Sequence, residues 1–343
     1  MQMIPTYKHK IALLIYFSVA ASVFCLQGQD LHYTQFYNSP LNINPALTGV
    51  YNGDQRVIGS LRDQWRSVPV PWFTFSGSYD QKHYLKNHDE GFMGWGAIVN
   101  HDRQGDSRLN LTSISGTASY TRILAPEHLL TGGLLLGFAS RGFDLESLTW
   151  DSQWDGQDFD PSRATGEGFN AERVNYLETG LGINYRFQRS ARTHLNVGVG
   201  VFHVYEPTTT FYDTDNQKLP RHYSLTAVGN FELADAVDIQ LHAMHQIQDV
   251  YDETVVGLLG KFYISQQRGN EWRLDLGGSY RTSGAIAPTI AMSWNQWYVG
   301  FSYDIDISDF DQYTNGRGGP ELHVRYIITH VKDLDKTKVC PIY

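Results

Sequence analysis

From Gln55 onward the chain is built of short runs in which apolar and polar residues alternate. A period of two puts successive side chains on opposite faces of an extended strand, whereas an amphipathic helix repeats every 3.6 residues. Between Thr112 and Arg122 one face carries Ser113, Ser115, Thr117, Ser119 and Thr121, and the other Ile114, Gly116, Ala118 and Tyr120. Trp297, Val299, Phe301, Tyr303 and Ile305 oppose Tyr298, Gly300, Ser302, Asp304 and Asp306. Trp272, Leu274, Leu276, Gly278 and Tyr280 oppose Arg273, Asp275, Gly277, Ser279 and Arg281. Val237, Ile239, Leu241, Ala243 and Ile247 oppose Asp238, Gln240, His242, Gln246 and Gln248.

About fourteen such runs can be drawn, over 54–66, 72–82, 91–102, 108–122, 127–141, 174–187, 194–205, 222–233, 236–248, 253–264, 270–282, 286–294, 296–306 and 320–330. Most exceed the ordinary strand of about 5–6 residues and match the roughly 9–11 needed to cross a bilayer with some overhang. Long connections (142–173, 206–221, 307–319) follow odd-numbered runs, and links after even-numbered runs are short. Outer-membrane barrels sort their loops this way, with short periplasmic turns and longer outside loops. Trp65, Trp72, Tyr79, Tyr185, Phe187, Tyr280, Trp294, Trp297 and Tyr326 fall near run ends, where interfacial girdles form. Glycines within runs, among them Gly94, Gly96, Gly180, Gly182, Gly198 and Gly200, are expected to let a curved sheet close.

The pattern predicts an all-β fold: a 14-stranded antiparallel transmembrane barrel in an outer membrane, with both termini periplasmic. In hydrocarbon every backbone N–H and C=O must be paired internally, and a closed barrel leaves no edge. Charges such as Arg273, Asp275, Asp304 and Arg325 then fall on the inner face. Composition agrees. Charged residues make up 18% and aromatics 13%, with 32 glycines in 343 residues, whereas a soluble domain averages about a quarter charged. A mean hydropathy of −0.35 excludes a bundle of membrane helices. A soluble secreted β-sandwich is the remaining all-β alternative, and it gives no reason for loop lengths to follow strand parity.

The N-terminus reads as a secretory signal over residues 1–28, with basic Lys8, His9 and Lys10 before the apolar stretch Ile11–Leu26. Cys25 invites a lipoprotein reading, which the bulky Phe24 before it disfavours. Removal of this segment takes away two lysines and no acids, moving the net charge from −9 to −11, and such a surface has no general attraction for nucleic acid. Cys340 is then the one remaining cysteine, so no internal disulfide is available. The expected organisation is a signal peptide (1–28), a periplasmic N-terminal segment (29–53), the barrel (54–330) and a periplasmic C-terminal tail (331–343).

Particular residues carry a family resemblance. Gln35-Phe36-Tyr37 leads into Pro40-Leu41-Asn42-Ile43-Asn44-Pro45-Ala46-Leu47-Thr48-Gly49, followed by Arg62-Asp63-Gln64-Trp65 and Ser76-Gly77-Ser78-Tyr79-Asp80. In this order they resemble the PorP/SprF family of type IX secretion membrane proteins of the Bacteroidota, which opens on Q-F-Y … P-L-x-x-N-P-A-x-x-G, R-x-Q-W and S-x-S-Y-D. The likeness continues through Trp154-Asp155-Gly156 and Phe159-Asp160-Pro161 to Val339-Cys340-Pro341, and departs from the family at the terminal Ile342-Tyr343. The resemblance implies an outer-membrane barrel serving type IX export and, in gliding species, surface adhesin attachment. Its expected partners are the lipid bilayer and a large secreted protein with a type-B C-terminal sorting domain; some members are linked instead to periplasmic components of the machinery.

Two segments are candidate sites. The 142–173 loop sets Asp144, Glu146, Asp151, Asp155, Asp158 and Asp160 beside Trp150, Trp154 and Phe159. Interleaved aromatics and acids suit a protein-recognition surface, with Trp150, Asp151, Trp154, Asp155, Asp158, Phe159 and Asp160 as partner contacts, or a plug folded into the lumen. Their spacing does not match a D-x-[DN]-x-[DN]-G calcium loop. The 29–53 segment lacks alternation; it is either a disordered leader or an ordered cap or docking element, whose candidate contacts are Gln35, Phe36, Tyr37, Asn44 and Pro45. His242 and His245 point to opposite faces of a strand and cannot share an ion. No nucleophile motif, phosphate-binding glycine loop or zinc spacing is present, so neither catalysis, a metal nor a cofactor is expected. The function predicted is export or anchoring of a secreted partner; the alternative is a channel or transporter for small solutes.

Overall fold

The computed structural model describes residues 31–66, 71–84, 91–105, 107–145, 148–169, 171–212, 217–308 and 311–329. The expected signal peptide and C-terminal tail lie outside the described residues. Fourteen strands pair in sequence order and close into one antiparallel barrel. They are β1 Gln55–Gln64, β2 Trp72–Tyr84, β3 Gly91–Gln104, β4 Leu109–Ala125, β5 His128–Gly142, β6 Arg173–Gln188, β7 His194–Phe202, β8 His222–Ala234, β9 Val237–Gln248, β10 Tyr251–Gln267, β11 Asn270–Arg281, β12 Ala285–Trp294, β13 Trp297–Asp306 and β14 Arg317–Ile328. The seam is β1 on β14, running from Gln55↔Ile328 to Arg62↔Glu321. A single helical turn, α1 (Asp311–Thr314), precedes β14.

Every expected run becomes a strand, and the departures are at the ends. β10 extends to Gln267, with a register shift between Tyr263 and Ser265, and β4 runs on to Ala125. Beyond the apolar zone both faces of a hairpin meet water, so alternation fades while the ladder continues. β7 instead stops at Phe202, because His203 (φ 53°) and Glu206 (φ 51°) take the left-handed backbone and carry the chain off the sheet.

Burial is the inverse of a soluble core. Phe138 and Ile183 are 69% and 62% exposed, while Asp304 and Glu321 are 1% and 0% exposed. The apolar face is outward, toward lipid, and polar groups bond to each other within. Arg273 and Asp275 pair inside at 2.7 Å. Aromatics bracket the apolar band: Trp65 packs on Trp72 at the end where the long loops emerge, and Trp297 on Tyr326 and Trp272 on Trp294 at the short-turn end.

Candidate functional site

Residues 31–53 run through the lumen. The segment starts near the long-loop end and descends to the short-turn end, where the Asp54 N–H donates to the Ile328 carbonyl at 2.9 Å and β1 begins. It advances in three 3-10 turns, Phe36–Asn38, Pro40–Asn42 and Pro45–Leu47. Pro40 and Pro45 each open a turn, where the missing N–H has no partner to lose. Asn44 caps the third: its side chain accepts the Ala46 N–H at 2.9 Å and donates to the Ile183 carbonyl on the wall at 3.0 Å.

Gln35, Phe36, Tyr37, Asn44 and Pro45, expected as a docking surface in the periplasm, therefore face the inner wall of the barrel. Gln35 donates to Ser302 at 2.9 Å, and Phe36 and Tyr37 pack on His242 at 5.7 and 4.6 Å between ring centres. The physical reason is supply: a lumen lined with Ser, Asn, Asp and Arg offers the partners that a non-repetitive backbone needs, so the segment is ordered without strand pairing. His245 lies on the other face from His242 and bonds Thr254 at 2.8 Å, as their spacing required.

Two charged clusters pin this plug. At the long-loop end the Glu321 carboxylate accepts the N–H groups of Thr34 and Gln35 at 2.9 and 2.7 Å, and His323 Nε2 lies 2.8 Å from it. Arg62 pairs with Asp304 at 2.7 Å and donates to the His32 carbonyl at 2.8 Å. The Thr34 hydroxyl donates to Asp304 at 3.0 Å and receives Arg281 at 2.6 Å. At the other end Arg56 grips both oxygens of Asp80 at 2.8 Å, and one of those oxygens accepts the Gly49 N–H. In the middle, the Tyr33 hydroxyl meets Ser76 at 2.8 Å and Asn42 bonds Asn100 at 2.9 Å.

The sequence reading missed Arg62, Asp80, Asp304, Glu321 and Arg281 as a functional set. The available signal was the motifs themselves: Gln35 to Gly49 is the plug, while Arg62 of R-x-Q-W and Ser76 and Asp80 of S-x-S-Y-D are its receptors. Several strand glycines also have a different use from the one expected. A Cβ at Gly182 would sit 2.0 Å from Asn44 Oδ1, at Gly200 2.3 Å from the Ile43 carbonyl, and at Gly94 2.4 Å from the Thr48 carbonyl. These positions clear space for the plug backbone.

The described residues of the loop between β5 and β6 lie outside the barrel interior. Trp150 starts a short turn, Asp151–Gln153, and its backbone N–H donates to Gln153 Oε1 at 3.0 Å. Phe169 packs on Trp150, on Phe143 and on Tyr212, and Phe143 packs on Phe211, joining this loop to the one between β7 and β8. Beyond this cluster Trp154 and Phe159 form an antiparallel bridge and are 55% and 43% exposed. Asp151, Asp155 and Asp158 are exposed around them and Asp160 is half-buried. Backbone N–H groups of Asp158 and Gln157 hold the Asp155 carboxyl below the usual carboxylate range, and Ser162 does the same for Asp160. Residues 31–53, and not this loop, occupy the lumen. The loop presents an acidic and aromatic apex at the rim.

Several solved structures align with the chain. A Pseudomonas aeruginosa FadL homologue aligns with a TM-score of 0.49 at 12% identity, over 82% of this chain and 92% of that one. The Ralstonia pickettii toluene transporter TbuX gives 0.46 at 10% identity, over 84% and 92%. The Pseudomonas putida toluene transporter TodX gives 0.48 at 11%, over 84% and 91%. No curated protein matches the chain in sequence. Residues 26–326, most of the chain, match the family described as type IX secretion system membrane protein PorP/SprF. The matched range takes in the plug and all but the last residues of the closed barrel: the chain is an outer-membrane β-barrel belonging to the PorP/SprF family of the type IX secretion system.

Proposed function

We propose that the barrel is a plugged, non-enzymatic outer-membrane anchor that supports export or surface attachment of a secreted partner, such as a large adhesin with a type-B C-terminal sorting domain. The observation that carries this reading is the division of labour between the two candidate segments. The lumen is obstructed by residues 31–53, held through buried, charge-assisted hydrogen bonds, which argues against a solute path. The rim carries an ordered loop with Trp154 and Phe159 displayed among carboxylates. Exposed aromatics on a rigid support are low-entropy anchors for a protein interface.

In this reading the long-loop end faces the cell exterior, the short turns face the periplasm, and Trp150, Asp151, Trp154, Asp155, Asp158, Phe159 and Asp160 form the contact. Affinity isolation of the barrel from native outer membranes, with mass spectrometry of what accompanies it, tests the proposal. A secreted protein with a sorting domain is the expected companion. Substrate-blocked currents through the unmodified barrel in a planar bilayer, with no companion recovered, would favour a solute channel instead.

A further inference from the structure

The short-turn end of the lumen holds a cavity of about 260 Å³ beneath the plug, bounded by Tyr37, Asn38 and Ile43 on the plug side. Six cations line it, Arg56, Arg186, Arg192, Lys261, Arg273 and Arg325, against one lining carboxylate, Asp275. Three of the six are neutralised by geometry: Arg56 by Asp80 at 2.8 Å, Arg192 by Asp238 at 2.6 Å, and Arg273 by Asp275 at 2.7 Å. The other three are not. Arg186 reaches only neutral amides, Gln188 at 2.8 Å, Asn196 at 3.2 Å and Asn52 at 3.4 Å. The Arg325 guanidinium lies 4.4 Å over the Tyr298 ring and 3.5 Å from Asn38 Oδ1. Lys261 lines the cavity and stands in register between Asp238 on β9 and Asp275 on β11, whose carboxylates pair with Arg192 and Arg273, and its Nζ forms no hydrogen bond among the described residues.

The three remaining cations line one cavity from β6, β10 and β14, while the nearby carboxylates Asp80, Asp238 and Asp275 are each already engaged by another arginine, and an excess of buried positive charge is costly unless an anion completes the set. We propose that this cavity is a binding site for a phosphate-class oxyanion, held by Arg186, Lys261 and Arg325. A monocarboxylate would leave most of the positive charge unanswered, whereas a phosphate brings close to two negative charges and several acceptor oxygens. Guanidinium forks match such oxygens in pairs, and an ammonium adds a point charge. The volume admits a small ion or one headgroup and lies below the usual range for drug-sized ligands. The phosphate can come from solution or from a lipid monoester entering between the short turns; the chemistry of the site is the same for both.

The test is calorimetric titration of the intact barrel in detergent with inorganic phosphate, with acetate and chloride at matched ionic strength as comparators. One phosphate per barrel is expected, with acetate about tenfold weaker or worse. Lys261→Met and, separately, Arg325→Met should each weaken phosphate about tenfold, while Arg108→Met at the opposite end leaves it unchanged. Heat-modifiable gel mobility checks that each variant is a closed barrel, and Arg186→Gln replaces any variant that is not. Phosphorus analysis of protein extracted from membranes separates the sources: solvent-extractable organic phosphorus identifies a lipid headgroup, and inorganic phosphate alone a free ion. No phosphate binding at millimolar concentration by extracted or delipidated barrel, or binding unchanged in folded Lys261→Met and Arg325→Met, overturns the proposal.

Discussion

The backbone N–H of Gly49 donates to the Asp80 carboxylate at 2.8 Å, so the last turn of the plug and the second strand share one charged group. The same carboxylate holds Arg56, which is 6% exposed, through both of its oxygens. Removing Asp80 therefore strands a buried guanidinium as well as freeing the plug. Asp80→Ala should cost about 3–5 kcal/mol, read as a fall in the temperature at which the barrel loses its compact gel mobility. Replacing Arg56 and Asp80 together by Met and Leu should recover much of that loss, because it removes the orphaned charge. A double variant as unstable as Asp80→Ala would show that the plug contact, and not the ion pair, sets stability here.

Gly182 and Gly200 face each other across β6 and β7, and both sit under the third turn of the plug. Valine is a good strand residue, so Gly200→Val should leave the ladder intact while pushing Ile43 and Asn44 off the wall. The expected outcome is an open barrel. Ion currents should appear in planar bilayers, and Ala46→Cys, buried at 0% exposure in the native arrangement, should react with a water-soluble maleimide only in the Gly200→Val background. A closed, unreactive barrel would mean that the plug can shift without leaving.

The barrel itself was legible because lipid enforces it. A strand such as β13 must present Trp297, Val299 and Phe301 outward and Tyr298, Ser302 and Asp304 inward, and that demand is written into every second residue. Loop parity and aromatic run ends repeat the same message. The plug was not legible by such means. Residues 31–53 have no period, and their order depends on partners up to nearly three hundred positions away, as with Thr34 and Glu321. In the sequence the glycines stand as bending points, because an absent side chain is visible there and what occupies its space is not. The rim loop lies between these cases: its residue types marked it, but the aromatic contact of Phe143 with Phe211, which fixes it to the neighbouring loop, is a tertiary fact.

Lipid-facing positions make a second kind of prediction. Val299 is 41% exposed on the outer face and lies opposite Val324 and Met292 on its two neighbours. Arginine there places a charge in hydrocarbon at a cost of about 2–4 kcal/mol near the midplane. Val299→Arg should reduce assembled barrel in the outer membrane, whereas arginine at the apex residue Gln157, exposed in the rim loop, should not. Equal assembly of the two variants would reverse the assignment of faces on β13.

The rim apex allows the functional proposal to be separated from folding. Trp154 and Phe159 close a small bridged turn in which the Asp155 N–H donates to the Asp158 carbonyl at 3.1 Å, and the Asp155 carboxylate takes the N–H groups of Gln157 and Asp158 at 2.8 and 2.7 Å. These bonds are internal to the turn, and Gln153, whose amide bonds Pro161 and Arg163 at 3.3 Å, secures its base. Shortening 154–159 to two glycines should therefore leave barrel stability within about 0.5 kcal/mol while lowering recovery of the secreted partner. The milder Trp154→Ala, Phe159→Ala pair should do most of the same, since it removes the anchors and keeps the carboxylates. Retention undiminished in both variants, with normal barrel levels, would move the contact away from this apex and onto another part of the rim.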